Sequence, residues 1–300
     1  MKMMKKCTEL KLQMPWGHIA ATAWGSPEKK PVLVVHGTLD NAGSFTRLIQ
    51  LLPDEYYFIA IDLPGHGLSS HFPPGINLDF FNFILAIKYV LTELNWKTCT
   101  YIGHSFGGQL GIIFSILFPD ILEKIISFDA IFPRIVNEEL LVSRIKEIND
   151  ATLSEFYNES PVRFYTKDQV LDALQNRRQF SLNEKAAQAL FERAVTKVGD
   201  KYKYNRDSRM KPMVYPNLNQ DQYLEFIKHL KVPTIVILSS NSWFNLTKEL
   251  VNNLEFFKKI IPASWIIKVV EGNHDLHNNN PERVSSIVSA YLDSSTKSKL

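Results

Sequence analysis

The chain has 300 residues, an ordinary globular composition and a net charge of only +3. This length fits one large α/β domain, with or without an insertion. The small net charge argues against a nucleic-acid partner, and no apolar run reaches the length of a membrane span. Residues 1–13 lack a continuous apolar segment, so we expect no signal peptide. Cys7 and Cys99 are far apart in sequence and form no metal-type spacing.

The first part of the chain has the pattern of strands that alternate with helices. Residues 7–13 and 18–23 resemble two strands joined by a Pro-Trp-Gly turn. Continuous apolar runs at 31–35 and 56–61 are typical of buried parallel strands. Residues 80–94 carry apolar side chains at helical spacing. This order predicts a doubly wound, mostly parallel sheet.

Residues 103–108 read Gly-His-Ser-Phe-Gly-Gly, between a strand-like segment at 98–102 and an apolar stretch of helical length at 109–117. A Gly-x-Ser-x-Gly motif between a strand and a helix predicts a nucleophile elbow. Glycines suit the sharp turn, and the helix N-terminus favours the negative charge that develops there. We therefore predict that Ser105 is a catalytic nucleophile.

The pattern changes after a further predicted strand at 124–129. Residues 134–230 are polar, charged and helix-like, with no apolar strand run, which predicts an inserted helical cap. Residues 1–133 and 231–294 would together form the core. Within the second core segment we expect a strand, a helix, a strand and a last helix, at 233–238, 247–259, 265–270 and 281–292.

A serine hydroxyl needs a base that removes its proton, and in this strand order the base comes last in the chain. His274 follows the final predicted strand and is our candidate, with His277 as a rival. The oxyanion hole needs two backbone N–H groups. We assign these to Phe106, the residue after the nucleophile, and to Thr38, in the loop after the strand at 31–35.

Four motifs together resemble the α/β-hydrolase family over almost the whole chain. They are Val-Val-His-Gly at 34–37, Asp-Leu-Pro-Gly-His-Gly-Leu-Ser at 62–69, the elbow at 103–108, and Gly-Asn-His at 272–274 with Asn-Pro-Glu at 280–282. The resemblance implies the α/β-hydrolase fold, with helices on both faces of the sheet, an inserted helical cap and no metal or organic cofactor. In such families the base lies seven residues before the proline that opens the last helix, which fits His274 and not His277. We give Asp62 and His66 a structural role in the turn at 64–67.

More narrowly, the chain is similar to the animal serine hydrolase-like proteins, whose insect members include kraken-type hydrolases. The cap segment 204–209, Tyr-Asn-Arg-Asp-Ser-Arg, looks like the cap motif of that subgroup. The subgroup is associated with peroxisomes. The last three residues are Ser298, Lys299 and Leu300, the tripeptide that the peroxisomal import receptor reads. We expect an exposed targeting tail at 295–300 and a peroxisomal location, otherwise a cytoplasmic one.

The triad acid is where the sequence departs from the family. Many α/β-hydrolases carry it in the loop after the strand that follows the cap, but residues 238–245 contain no carboxylate. Asn245 would orient an imidazole without stabilising its charged form well. Asp129 closes a predicted buried strand and resembles the position used by some dehalogenase-type members. We favour Asp129, and Asp275 or the absence of an acid remain the alternatives.

Other polar residues near these motifs are candidates for ligand contacts. His36 and His104 border the catalytic loops, and we predict that both contact the substrate. The cap also carries a basic cluster, which could bind an anionic group such as a phosphate of coenzyme A. Asp200 and Asp207 lie within it, so we favour a solvated surface whose charges pair with one another. The cluster consists of Lys201, Lys203, Arg206, Arg209 and Lys211.

Together these residues predict a hydrolase that cleaves a carboxylic ester or thioester of an apolar acid through an acyl-serine intermediate. A serine at the elbow argues against dehalogenase and epoxide-hydrolase chemistry, which uses a carboxylate nucleophile in this fold. Two alternatives remain. One is a peroxisomal acyl-CoA thioesterase, and the other is a non-catalytic binding protein on a hydrolase scaffold, because no acid follows the cap.

Overall fold

The computed structural model describes residues 4–133, 135, 138–157, 162–210, 216 and 218–294. The targeting tail expected at 295–300 and the basic residue Lys211 lie outside this part of the chain, so both predictions about them stay predictions.

The described residues form ten strands and ten α-helices. The strands are β1 (Cys7–Met14), β2 (Gly17–Trp24), β3 (Lys30–Val35), β4 (Tyr56–Ile61), β5 (Cys99–His104), β6 (Leu122–Phe128), β7 (Val195–Val198), β8 (Lys201–Tyr204), β9 (Thr234–Asn241) and β10 (Ile266–Asn273). The helices are α1 (Thr46–Ile49), α2 (Phe80–Glu93), α3 (Phe106–Leu117), α4 (Leu141–Phe156), α5 (Lys167–Asn176), α6 (Glu184–Ala194), α7 (Gln220–Ile227), α8 (Lys248–Ile260), α9 (Leu276–Asn279) and α10 (Ser285–Asp293).

Eight strands form one sheet in the order β1-β2-β4-β3-β5-β6-β9-β10. The pairs β1–β2 and β2–β4 are antiparallel, and every other pair in the sheet is parallel. Because the parallel strands all end at the same edge, the loops that follow β3, β5, β6 and β10 meet there. The predicted fold class is confirmed.

The central strands β3 to β6 are buried on both faces, as the continuous apolar runs predict, whereas the edge strands β1 and β10 are largely exposed. Side chains alternate along β3, so Leu33 and Val35 join the apolar cluster that includes α2 and α3. Val32 and Val34 point the other way and join the cluster that includes α1 and α10. Helices therefore cover both faces, and the ends of the strands remain for loops and the cap.

The segment between β6 and β9 contains α4 to α7 and, unlike the predicted all-helical cap, a two-stranded hairpin. In this hairpin β7 pairs antiparallel with β8, and Gly199 turns the chain with a φ of +63°. Tyr202 and Tyr204 pack on the apolar cluster of α5 and α6 while Lys201 and Lys203 are exposed. This alternation of lysine and tyrosine is a short strand signal that sequence reasoning missed.

A buried ion pair fastens the cap to the core. Arg193 at the end of α6 donates to Asp62, with 2.8 Å between Nη2 and Oδ2, and also to Glu9. Asp62 further accepts the backbone N–H groups of Ala42 and Leu68. The structural role predicted for Asp62 thus extends to holding the cap.

No helix in the described ranges has both the length and the apolar character that a membrane crossing requires.

Candidate active site

Ser105 lies in a sharp turn between β5 and α3, with φ +49° and ψ −116°. A non-glycine residue with positive φ is strained, and such strain is typical of functional turns. The neighbouring glycines allow close packing. A Cβ on Gly103 would lie 2.6 Å from the backbone of Gly107, and one on Gly107 would lie 2.3 Å from the carbonyl oxygen of Val35. The turn at Ser105 is therefore the predicted elbow.

The elbow opens into a cavity of about 820 Å³ between the core and the cap. Ser105, Phe106, Asp129 and His274 all line it, together with Thr38 from the loop after β3. The structure thus brings the predicted triad residues and both predicted oxyanion donors to one cavity wall.

Asp129 and His274 form a short contact, with 2.5 Å between Asp129 Oδ2 and His274 Nδ1. This is the contact that the predicted triad requires. Asp129 also accepts the backbone N–H and hydroxyl of Ser239, at 2.9 and 3.1 Å, and the backbone N–H of Trp243, at 3.1 Å. Its φ of +48° puts this side chain at the end of β6 in a second strained position. The carboxylate is therefore buried with four donors around it.

These contacts shift the pKa values of both partners. Burial disfavours the charged form of Asp129, but the hydrogen bond and positive charge of His274 outweigh it and lower the pKa of Asp129. Burial also disfavours the charged form of His274, and the hydrogen bond and charge of Asp129 outweigh it and raise the pKa of His274. An ionised carboxylate only accepts hydrogen bonds, so Nδ1 of His274 carries the proton and Nε2 is left to act as a base.

The hydroxyl of Ser105 makes no hydrogen bond to His274 within the described residues, although both side chains line the cavity. Contacts of this kind are often long without substrate and shorten in the reacting complex.

The loop after β3 approaches the nucleophile closely, since a Cβ on Gly37 would lie 3.1 Å from Ser105 Cβ. In this loop the N–H of Leu39 donates to His66 Nε2 and that of Asp40 donates to the carbonyl of Gly37. The N–H of Thr38 has no such partner in the described part of the chain. Thr38 is therefore the loop residue whose N–H is available for an oxyanion. The second predicted donor, Phe106, is in the first turn of α3 and lines the same cavity.

The rival residues have other partners. His277 is fully buried, its ring centre is 4.1 Å from that of His104, and neither ring nitrogen has a hydrogen-bond partner within the described residues. Burial lowers its pKa well below the usual value, so it is a neutral core histidine. Asp275 bonds Arg178 rather than His274. The amide of Asn245 donates to the carbonyl of Ser240.

His36 and His104 do not line the cavity. Nδ1 of His36 is 2.7 Å from the carbonyl of Gly37, Nε2 accepts the N–H of Leu63 at 3.0 Å, and burial lowers the pKa of this histidine to about 4. Nε2 of His104 is 3.0 Å from the carbonyl of His274. Their positions do not support the predicted substrate contacts. Both histidines instead lie behind the wall and support the oxyanion loop and the base.

Sequence reasoning missed Arg178, which the cap places between two core loops. Its Nη1 is 2.7 Å from Asp40 and its Nη2 is 3.1 Å from Asp275, and both carboxylates are buried. Asp40 follows the oxyanion loop and Asp275 follows His274, so one guanidinium links the loops that hold the donor and the base.

The same carboxylates lie near a histidine, as metal ligands do. Donor atoms of Asp40, His104 and Asp275 are within 4.8 Å of one another. However, the guanidinium of Arg178 already bonds both carboxylates, and its charge would repel a cation. We therefore interpret this group as an ion-pair cluster.

Comparison with known proteins agrees with this fold. Residues 30–277 match the family of the α/β-hydrolase fold. Serine hydrolase-like protein 2 of Homo sapiens is 32% identical over 295 residues, which cover 95% of this chain and 94% of the human protein. The serine hydrolase-like protein of Danio rerio is 34% identical over 300 residues, covering 97% and 90% of the two chains.

Solved structures show the same fold. A hypothetical protein from Pseudomonas aeruginosa PAO1 superposes with a TM-score of 0.83 at 24% identity, covering 95% of this chain and 99% of that one. The thioesterase domain from the curacin biosynthetic pathway superposes with a TM-score of 0.78 at 23% identity, covering 94% and 99% of the two chains.

Proposed function

Because the chain belongs to the α/β-hydrolase fold family, with serine hydrolase-like proteins among its relatives, we propose that it hydrolyses carboxylic esters or thioesters through an acyl-serine intermediate. Ser105 is the nucleophile, His274 the general base and acid, and Asp129 the carboxylate that orients the base.

In the first half-reaction, Nε2 of His274 takes the hydroxyl proton of Ser105 while Oγ bonds to the substrate carbonyl carbon. The carbonyl electron pair moves to oxygen, and the resulting oxyanion accepts the N–H groups of Thr38 and Phe106. Each such donor is worth about 10²–10³ in rate in serine hydrolases. The tetrahedral intermediate then expels the alcohol or thiol, which takes the proton from His274.

In the second half-reaction, a water molecule gives its proton to His274 and attacks the acyl-serine carbonyl. Collapse of this intermediate breaks the bond to Ser105 Oγ, returns the proton to the serine and releases the acid. Asp129 keeps the imidazole in the tautomer that both steps need and stabilises the imidazolium in each.

One observation carries the proposal: a buried carboxylate holds Nδ1 of His274 at 2.5 Å, and the strained elbow serine lines the same cavity. A non-catalytic binding protein has no need of a buried charge pair aimed in this way, because such a pair is costly to desolvate. A serine at the elbow also argues against reactions that need a carboxylate nucleophile at this position.

We expect Ser105→Ala to abolish both labelling by a fluorophosphonate probe and turnover of 4-nitrophenyl esters, with the thermal unfolding temperature unchanged. Ser143→Ala is the matched control, because Ser143 lies on α4 and does not line the cavity, and within the described residues its hydroxyl bonds only the carbonyl of Leu140. Unchanged labelling in Ser105→Ala would show that another residue reacts. An unlabelled wild-type protein would favour the non-catalytic alternative.

A further inference from the structure

The core and cap walls of the cavity carry charges of opposite sign. The described lining residues of the cap include four arginines and no acidic residue: Arg144, Arg177, Arg178 and Arg206. The acidic lining residues, Asp40, Asp129 and Asp275, all come from the core.

The core carboxylates are already compensated. Asp129 bonds His274, and Arg178 bonds both Asp40 and Asp275. The positive charge of Arg178 is therefore already neutralised by these two core carboxylates. Among the described residues, no further acidic side chain lines the cavity beside Arg177 and Arg206.

Arg206 is the clearest example of a cap arginine that faces the cavity without a described carboxylate partner. Its guanidinium carbon is 4.8 Å from the centre of the Tyr204 ring, and Tyr204 in turn packs on Tyr165 at 5.3 Å. Both rings line the cavity beside Arg206, and no described carboxylate lies within ion-pair distance of this guanidinium. Arg177 lies on the same wall and is largely exposed, and its partner is the half-buried Asp172. Exposed pairs of this kind are weak and are readily exchanged for a better ligand.

The other described members of the basic cluster do not share this position. Arg209 is buried, with Nη2 at 2.6 Å from Asp207 Oδ2 and further bonds to the carbonyls of Phe72 and Ile76. Lys201 and Lys203 do not line the cavity. The predicted pairing within the cluster is therefore found for Arg209 and Asp207, but this pair is buried rather than solvated, whereas Arg206 lines the cavity.

We propose that this cap wall, with Arg206 at its centre, binds an anionic group of the substrate, a carboxylate or a phosphate, at a distance from the bond that is cleaved. This inference rests on the proposed ester or thioester hydrolysis, since the anionic group would belong to the substrate whose ester or thioester bond is cleaved. Guanidinium groups match carboxylate and phosphate geometry, and the Tyr204 and Tyr165 rings add flat surfaces on which planar groups can stack. The charged group lies either on the acyl chain or on the leaving group.

Two matched substrate pairs separate these sources. Mono-4-nitrophenyl glutarate and 4-nitrophenyl valerate have five-carbon acyl groups that differ by a terminal carboxylate in place of a methyl group. Butyryl-coenzyme A and the butyryl thioester of N-acetylcysteamine share the thioester and differ in the nucleotide and its phosphates. In at least one pair, we expect kcat/KM at low salt to be about tenfold higher for the charged member than for the neutral member. This ratio should be smaller at high salt.

Arg206→Gln should remove this preference by raising KM for the charged member about tenfold, while the neutral member changes less than about twofold. Arg163→Gln is the matched control, because Arg163 is an exposed cap arginine that does not line the cavity. Fluorophosphonate labelling must be retained in both variants. Equal preference within both pairs, or equal effects of the two substitutions, would overturn the proposal.

Equilibrium binding keeps this test independent of turnover. Ser105→Ala should bind glutarate or coenzyme A, and adding Arg206→Gln should weaken that binding about tenfold. If the wild-type protein cleaves none of the four substrates but binding still depends on Arg206, the hydrolase proposal fails and the anion site stands. If esters are cleaved and neither anion binds, the anion site fails and the hydrolase proposal stands.

Discussion

The two walls of the cavity differ in how firmly their polar side chains are held. On the core wall, Asp129 has four donors and the oxyanion loop is pinned by its own backbone bonds. On the cap wall, Arg206 is exposed and rests on a tyrosine ring without a carboxylate partner among the described residues. A rigid core wall suits chemistry, which needs fixed geometry, and an adaptable cap wall suits recognition, which varies with the ligand.

Among substitutions on the core wall, removal of the general base should have the largest effect on activity. We expect His274→Ala to lower kcat on the order of 10⁶-fold, which is the loss found when a triad histidine is removed. His277→Phe should change kcat/KM less than about tenfold, because the ring lies among Phe45, Phe128 and His104 and neither nitrogen has a described partner to lose. Ester kinetics on both variants check this, and the reverse ranking would identify His277 as the base.

Asp129 tests whether the fixed carboxylate sets the charge state of the base. Asp129→Asn should lower kcat about 10⁴-fold, because the amide no longer enforces the correct imidazole tautomer. His274 must be neutral to act, so activity appears as pH rises through its pKa. Asp129 raises that pKa, and its removal should move the acid limb of the pH profile of kcat/KM to lower pH.

Asp275→Asn serves as the control for this substitution, because Asp275 bonds Arg178 and leaves the pair of Asp129 and His274 intact. We expect a far smaller loss of kcat in this variant. A larger loss in Asp275→Asn than in Asp129→Asn would mean that Asp275 is the functional acid.

The same contrast explains which parts of the molecule could be predicted from the sequence. The elbow, the strand runs and the position of Asp129 at the end of β6 depend on residues that are neighbours in the chain, so local patterns reveal them. Arg178 lies 138 residues from Asp40, and Arg193 lies 131 residues from Asp62. No local pattern marks such pairs. The hairpin of the cap was missed because each of its strands has only four residues.

The roles of His36 and His104 show a different limit. A histidine next to a catalytic loop has the same sequence signature whether it contacts the ligand or supports the loop from behind. Only the structure shows that the ring nitrogens of His36 are both used by backbone groups. Burial of each ring also keeps it neutral, with the pKa of His104 lowered to about 3.

Arg178 is the point where the two walls meet, because it belongs to the cap and yet is held as firmly as a core residue. Arg178→Met would leave Asp40 and Asp275 buried without their counter-charge, and breaking a buried pair in this way costs about 3–5 kcal/mol. We expect a lower unfolding temperature and a loss of kcat of about 10- to 100-fold, because the loops of Thr38 and His274 lose their common anchor. Arg178→Lys should recover part of the unfolding temperature and part of kcat, because lysine restores the positive charge but cannot present the two parallel donors of a guanidinium.

The decisive control removes the charges together with the arginine. In the triple variant Arg178→Met, Asp40→Asn, Asp275→Asn no buried carboxylate of the cluster is left unpaired, so thermal stability should return towards that of the wild-type protein. If kcat stays low while stability returns, Arg178 positions the two catalytic loops. If kcat returns with stability, the guanidinium only neutralises buried charge, and the two walls of the cavity act independently of each other.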